Sequence, residues 1–177
     1  MRAADNPFRA SRVNALSFRA EHTRAKVLAR AAAHRYRGAL VGPEGSGKST
    51  LLSELGDDLE GSGVEVERLS CNERGWLTRL LRTPATVVLL DAAERVPAPL
   101  LVALVMLRRG GLMLTLHRQT SGIPVLTKCS VTVELLSSLV DELTGGDEPT
   151  RARAIALLGP KRGNVREILG ALYEIAK

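Results

Sequence analysis

A chain of 177 residues can bury one α/β-sized core and is too short for two full domains. It carries 25 lysines and arginines against 19 aspartates and glutamates. No run reaches the ~18 apolar residues of a membrane span, and residues 1–12 lack the apolar segment of a signal peptide, so a membrane-spanning protein is excluded and a cytoplasmic location expected. Cys71 and Cys129 stand apart, with neither C-x-x-C spacing nor a companion histidine motif, which argues against a disulfide framework or zinc site and marks both as core thiols.

The charge is unevenly placed. Residues 1–37 hold nine basic side chains (Arg2, Arg9, Arg12, Arg19, Arg24, Lys26, Arg30, Arg35 and Arg37) against Asp5 and Glu21, a local +7; the remainder holds sixteen against seventeen, or −1. Such a segment suits a nucleic acid or an acidic protein partner. It equally suits a plain solvated face, since no recognised nucleic-acid module accompanies it.

In chain order, residues 23–37 read as a helix with an apolar stripe at Val27, Leu28, Ala31, Ala32 and Tyr36. Ala39-Leu40-Val41 is a buried strand, and Gly42, Gly47, Lys48 and Ser49 then fit G-x-x-x-x-G-K-[ST] before the apolar helical spacing of Leu51, Leu52 and Leu55. The loop residues Pro43, Glu44, Gly45 and Ser46 complete the cradle. Glycines let backbone N–H groups turn inward as an anion nest, and the following helix points its positive end at the same phosphates. Lys48 supplies a point charge to β- and γ-phosphates, the Ser49 hydroxyl takes a place on Mg²⁺, and Thr50 lies in the first helical turn. A plain strand-to-helix turn is the competing reading.

Val64–Leu69 alternates apolar residues with glutamates, as a strand with one well-buried face does. Residues 73–82 form a helix with Trp76, Leu77, Leu80 and Leu81 on one face, Trp76 being a core residue. Thr86–Leu90 is a continuous apolar run ending in Asp91, the pattern of a central parallel strand. A carboxylate there suits a magnesium site reached through water, or a helix N-cap. Glu94, three residues on, suits polarisation of an attacking water or a plain exposed place in a helix start. Residues 97–107 form a helix closed by Gly110-Gly111, Leu112–Leu116 is the next strand, and Ser130–Leu135 is expected as the fifth. Helices follow at 137–144, 150–158 and 164–176.

Alternating strands and helices imply right-handed crossovers, a mostly parallel sheet and a ligand at the carboxyl ends of the strands. The expected architecture is an α/β P-loop NTPase fold, its five-stranded, mostly parallel sheet set between helices. Residues 1–136 form the nucleotide-binding domain with its basic segment, and residues 137–177 a short helical lid.

Gly42–Ser49 as Walker A, Val87–Asp91 as Walker B, Thr115 at the end of the next strand and Arg162–Leu169 (RGNVREIL) in the C-terminal helices resemble a small AAA+ ATPase from about Asn6 to Lys177. The Asn6-Pro7-Phe8 opening is similar to the secretion-ATPase and transposition-helper branch. That resemblance implies ATP and Mg²⁺ as cofactors, Asn6 and Phe8 near the adenine, Thr115 as a polar sensor of the γ-phosphate, and Arg166 reaching the nucleotide from the lid. A guanidinium on a lid helix contacts phosphate only when the lid closes, linking nucleotide state to domain angle; a surface helix arginine is the other reading of Arg166.

Three features depart from the family. Ala92 stands where the family places glutamate after the Walker B aspartate, so the activator of water is missing or displaced to Glu94. Only a short segment with Arg118 separates Thr115 from the expected fifth strand, leaving no helix to carry an arginine finger. The lid has about three helices. Slow turnover, a switch-like role or completion of the site by a partner is the expectation. Two other readings stand beside it. A small metabolite kinase would use Arg151 and Arg153 on a mobile lid, although Ser70-Cys71-Asn72 offers no acceptor-binding aspartate. A non-hydrolysing ATP-binding module would recruit DNA or a protein client through the basic N-terminal segment.

Overall fold

The computed structural model describes Phe8, residues 21–161 and residues 163–175. Helix α1 (Glu21–Ala33) is followed by β1 (Arg37–Val41), α2 (Lys48–Gly61), β2 (Val66–Ser70), α3 (Trp76–Arg82), β3 (Val87–Asp91), a 3₁₀ turn at Ala93–Arg95 and α4 (Ala98–Leu107). Then come β4 (Gly111–Leu116), β5 (Val125–Lys128) and helices α5 (Val133–Thr144), α6 (Glu148–Leu158) and α7 (Val165–Ile175). All strand pairs are parallel, in the order β2-β3-β4-β1-β5. Among the described residues no helix is long and apolar enough to cross a membrane.

The period of two in the central strands explains the two faces of the sheet. Ala39, Val41, Val88, Leu90, Leu112 and Leu114 point to one side, where Leu80 of α3 and Leu101 and Val105 of α4 cover them. Leu40, Val87, Leu89 and Met113 point to the other, against Val27 and Ala31 of α1 and Leu51, Leu52, Leu55 and Leu59 of α2. Burial on both sides is why β3 and β4 carry continuous apolar runs instead of alternating ones.

Two compact units make up the chain. One comprises the described residues of Phe18–Gly42 together with Gly47–Cys129. The other comprises Pro43–Ser46, the described residues of Ser130–Lys177 and Phe8. In the helical unit, Leu136, Val140 and Leu143 of α5 pack with Ala154 of α6 and Ile168, Leu169 and Leu172 of α7, and Phe8 belongs to the same cluster.

The fifth strand is not where the sequence pattern placed it. Ser130–Leu135 alternates β-branched residues, but the Thr132 side chain accepts a hydrogen bond from Leu135 N–H and caps α5, so 133–135 are helical. The strand is instead Val125–Lys128, hidden in the sequence by its shortness and by Pro124 at its start, a place an edge strand tolerates. Tyr36, read as part of the first helix stripe, also lies outside it. Arg35 and Tyr36 adopt positive φ (54° and 56°) and turn the chain from α1 into β1.

Edge strand β5 joins β1 at a register irregularity between Ala39 and Leu40. Gly38 makes this possible: its φ is +152°, and a Cβ there would lie 2.7 Å from the Pro124 carbonyl oxygen and 2.8 Å from the Leu126 side chain. The clash is with backbone as well as side chain, so it is not relieved by a rotamer change. Gly38→Ala is expected to lower stability by about 2 kcal/mol or more, read as a fall of about 5 °C or more in the melting temperature of a chain of this size.

Candidate functional site

β1 ends at Val41, and Gly42 N–H donates to the Leu116 carbonyl at 3.1 Å, tying the start of the loop to β4. Ser46 folds back on Pro43 through its hydroxyl, at 2.8 Å. Gly45 and Gly47 are left-handed, with φ of 72° and 81°. Gly47 is the N-cap of α2; it offers no side-chain cap, and the first turn contains no acidic residue. The start of α2 therefore lacks a capping side chain of its own, the condition under which a helix start takes an anion. Lys48 opens the helix and is buried, while Glu44, Ser49 and Thr50 are exposed.

Asp91 closes β3. Its Oδ1 accepts the Ser49 hydroxyl at 2.9 Å and the Thr115 hydroxyl at 2.7 Å. Thr115, only 1% exposed, also accepts the N–H of Ala92 at 3.0 Å. The threonine expected to face a phosphate is thus engaged in holding the Asp91 carboxylate and the turn after it. Ala92 has φ 56°, a left-handed conformation that a non-glycine residue adopts at a cost of about 1 kcal/mol. The 3₁₀ turn then carries Glu94 to within 3.5 Å of His117 Nε2, the residue after β4.

The donor set suits a hard cation. Ser49 and Asp91 offer oxygen only, as Mg²⁺ requires, and among the described residues no three histidines, cysteines or carboxylates gather into an all-protein metal cage. A magnesium ion would be held by Ser49 and Asp91 together with ligand and water oxygens.

Lys48, Ser49, Asp91, Glu94 and Thr115 belong to the sheet unit; Pro43–Ser46, Phe8 and Arg166 belong to the helical unit. Arg166 is an exposed residue of α7. Phe8 is 5% exposed within an apolar cluster of helices, which gives its ring a packing role. Asn6 and, of the basic N-terminal segment, Arg2, Arg9, Arg12 and Arg19 lie outside the described residues. Of that segment, Arg24 is paired with Glu54 and Asp58, and Arg30 and Arg37 donate to backbone carbonyls.

Two contacts were not legible in the sequence. Asn164 caps α7: its Oδ1 accepts Glu167 N–H at 3.3 Å and its Nδ2 donates to Glu167 Oε1 at 3.0 Å. It also lies against Gly45 so closely that no Cβ fits there. The Asn-x-x-Glu spacing before an apolar stripe was its signal. His117, as the partner of Glu94, had none, because the pair is formed by the fold.

Cys71 follows β2, and its N–H donates to the Asp91 carbonyl at 3.0 Å. Burial first, and then the Glu94 and Asp91 carboxylates, push its thiol up to about 11. Burial also raises Cys129, against the opposing influence of the Lys48 ammonium. A thiol raised by about two units has roughly a hundredfold less thiolate near pH 8. Because a thiolate of higher pKa is also the stronger nucleophile, alkylation of Cys71 by iodoacetamide at pH 8, followed by peptide mass spectrometry, is expected to run about tenfold slower than for an unhindered cysteine. Glu94→Gln should accelerate it by removing one of the opposing charges.

No protein-family model matches the chain, and no curated protein sequence matches it. Solved structures do match its fold. A DNA replication initiation factor superposes with a TM-score of 0.59 at 16% identity, over 92% of this chain and 62% of that one. The replication initiator DnaA bound to AMPPCP and single-stranded DNA gives 0.55 at 18% identity, over 84% and 59%. Domain III of the Thermotoga maritima replication initiation protein DnaA gives 0.57 at 13% identity, over 89% and 82%. The chain spans about three fifths of the length of the first two. It shares with these proteins an α/β P-loop fold built on a five-stranded parallel sheet.

Proposed function

We propose that this chain binds MgATP at the Gly42–Ser49 loop, hydrolyses it slowly, and uses the nucleotide state to set the engagement of its C-terminal helices or of a protein client in the cytoplasm. One observation carries the reading: the Ser49 and Thr115 hydroxyls converge on a single oxygen of Asp91 beside the buried Lys48 and the uncapped start of α2. Bound magnesium would supply charge neutralisation between β- and γ-phosphate oxygens. The loop N–H groups and Lys48 orient the phosphates. Ser49 has lone pairs left for the ion while donating to Asp91, since a hydroxyl combines one donor with two acceptors. The roles of Asn6 and Phe8 near the adenine and of Arg166 as a closing contact rest on the family resemblance, as does the narrower likeness to secretion ATPases and transposition helpers.

The kinase reading loses one of the two arginines it rests on. Arg151 is engaged with Asp141 at 3.0 Å and with Glu148 at 3.5 Å, so it is a structural residue of the helical unit. The Ser70 hydroxyl accepts Asn72 N–H at the end of β2, forming a turn there. One structural neighbour carries single-stranded DNA alongside AMPPCP; nucleic-acid binding by this chain would fall to the basic residues of 1–37 that are not already engaged internally.

Lys48→Ala should weaken MgATP binding by a hundredfold or more in titration calorimetry while the melting curve without nucleotide changes little. Equal affinities would remove the reading.

Hydrolysis offers a sharper test. With Ala92 in place of a carboxylate, ground-state binding should be intact while the transition state lacks part of its water-positioning, giving turnover well below about 1 per second. If Glu94 serves as the activator, Glu94→Gln lowers phosphate release at least tenfold and Ala92→Glu adds little. If it does not, Ala92→Glu raises the rate with ATP affinity nearly unchanged. Fast wild-type turnover insensitive to Glu94→Gln would contradict both versions.

A further inference from the structure

Helix α4 reads APLLVALVML, ten residues without a charge or polar side chain. Leu101 and Val105, each 1% exposed, face the sheet. Leu100, Leu104 and Leu107, at spacings of four and three, form a second ridge. A helix that is apolar all round is normally covered all round, yet Leu100 is 40%, Met106 58% and Leu107 80% exposed. Across from this ridge stand Leu80 and the 70%-exposed Leu81 of α3. The two helices and the connections before β3 and β4 enclose an open groove of about 720 Å³. Single exposed leucines are ordinary, but a continuous patch with a concave floor marks an interaction site.

The groove is also basic. Arg108 and Arg109 line it, and among the described residues its lining includes no carboxylate. Arg108 donates to the carbonyls of Ala85 at 2.9 Å and Gly111 at 3.1 Å, and Arg37 donates to the carbonyls of Arg108 and Met106 behind it. The Nε atoms of both Arg37 and Arg108 are buried with no hydrogen-bond partner among the described residues. Burial, and then the charge of Arg37, press the Arg108 guanidinium below its ordinary value. Elsewhere in the sheet unit Arg24, Arg68 and Arg79 each pair with two carboxylates. The groove combines uncovered leucines with cations that have no counter-charge in its lining.

We propose that the α3–α4 groove docks an amphipathic helical segment of a partner protein, with leucine-sized side chains entering between Leu81 and Leu107 and carboxylates meeting Arg109 and the edge of Arg108. A helix fits because the groove runs between two helices, and leucines at i, i+3, i+4 and i+7 mesh with a ridge of the same spacing. Opposite charge selects the flanks. A second copy in two-fold contact would set these arginines against one another. Residues 1–20 of the same chain carry Arg2, Arg9, Arg12 and Arg19 against Asp5 alone, the wrong sign for this groove. The site lies at the amino ends of β3 and β4, so the proposal stands independently of any nucleotide.

The test uses the full chain and a fluorescein-labelled 18-residue helical peptide with leucines on one face and glutamates elsewhere, beside a matched peptide with lysines for glutamates. Anisotropy should show the glutamate peptide binding at least tenfold more tightly. Leu107→Glu and Arg109→Glu should each weaken it tenfold or more, and Leu107→Glu should leave MgATP binding as it is. Both positions are exposed, so the substitutions spare the core; unchanged melting curves verify this. Equal affinity for the two peptides, or indifference to both substitutions, overturns the proposal. So does a dimer in sedimentation velocity that Leu107→Glu disperses. Phosphatidylglycerol vesicles that bind the wild type more tightly than the glutamate peptide and lose it on Arg109→Glu would likewise overturn it, in favour of a membrane surface.

Discussion

One carboxylate oxygen organises the carboxyl end of the sheet. Asp91 Oδ1 accepts hydroxyls from Ser49, at the start of α2, and from Thr115, near the end of β4, so three elements meet at one atom. The strand order makes this geometry available. With β4 inserted between β1 and β3, the loop after β1 and the acid after β3 are separated by one strand, and a short polar side chain on that strand bridges the gap. The bond from Thr115 is charge-assisted and buried, worth about 1.5–3 kcal/mol net. Valine would fit the shape, but it would leave both Asp91 and the Ala92 N–H short of a partner.

The same hydroxyl sets the path of the chain beyond β3. Ala92 is left-handed, and its N–H is held by Thr115, so the strain in the backbone and the placement of the acid are maintained together. From that turn the chain enters Ala93–Arg95, and Glu94 comes round to His117. A carboxylate absent from position 92 is thus present one short turn later, paired with an imidazole on the neighbouring strand's end. Cys71 registers the arrangement from the far side of β3, since both carboxylates act on its thiol.

The parts of this fold legible in the sequence were those with local or periodic causes. Leu40, Leu89 and Met113 lie in runs whose uninterrupted hydrophobicity signals burial on two faces, and the glycine loop declares itself by spacing alone. β5 was illegible because its four residues follow a proline and are only partly buried, while VTVEL imitates a strand until the Thr132 cap decides for helix. In the site, Lys48, Ser49 and Asp91 were readable as motif residues. The Thr115 to Ala92 bond and the Glu94–His117 pair join residues 23 apart in sequence. No local pattern encodes such pairs, which arise only once β3 and β4 lie side by side.

β3 and β4 also set the glycine loop and the α3–α4 groove at opposite ends of one small core. Both strands begin beside the α3–α4 groove, after Thr86 and Gly110, and end at Asp91 and beyond Thr115. Five residues of parallel strand span roughly 13–17 Å, so a helix docked in the groove would lie clear of the Gly42–Ser49 loop. Helix α4 has its amino end just after the turn carrying Glu94 and its carboxyl end in the groove, and its ten residues cover about 15 Å. Its inner ridge holds the sheet together through Leu101 and Val105. On its outer side Leu104 still packs against that core in part, but Leu100 and Leu107 are exposed, and solvent alone gives no reason to keep those two apolar at matching intervals.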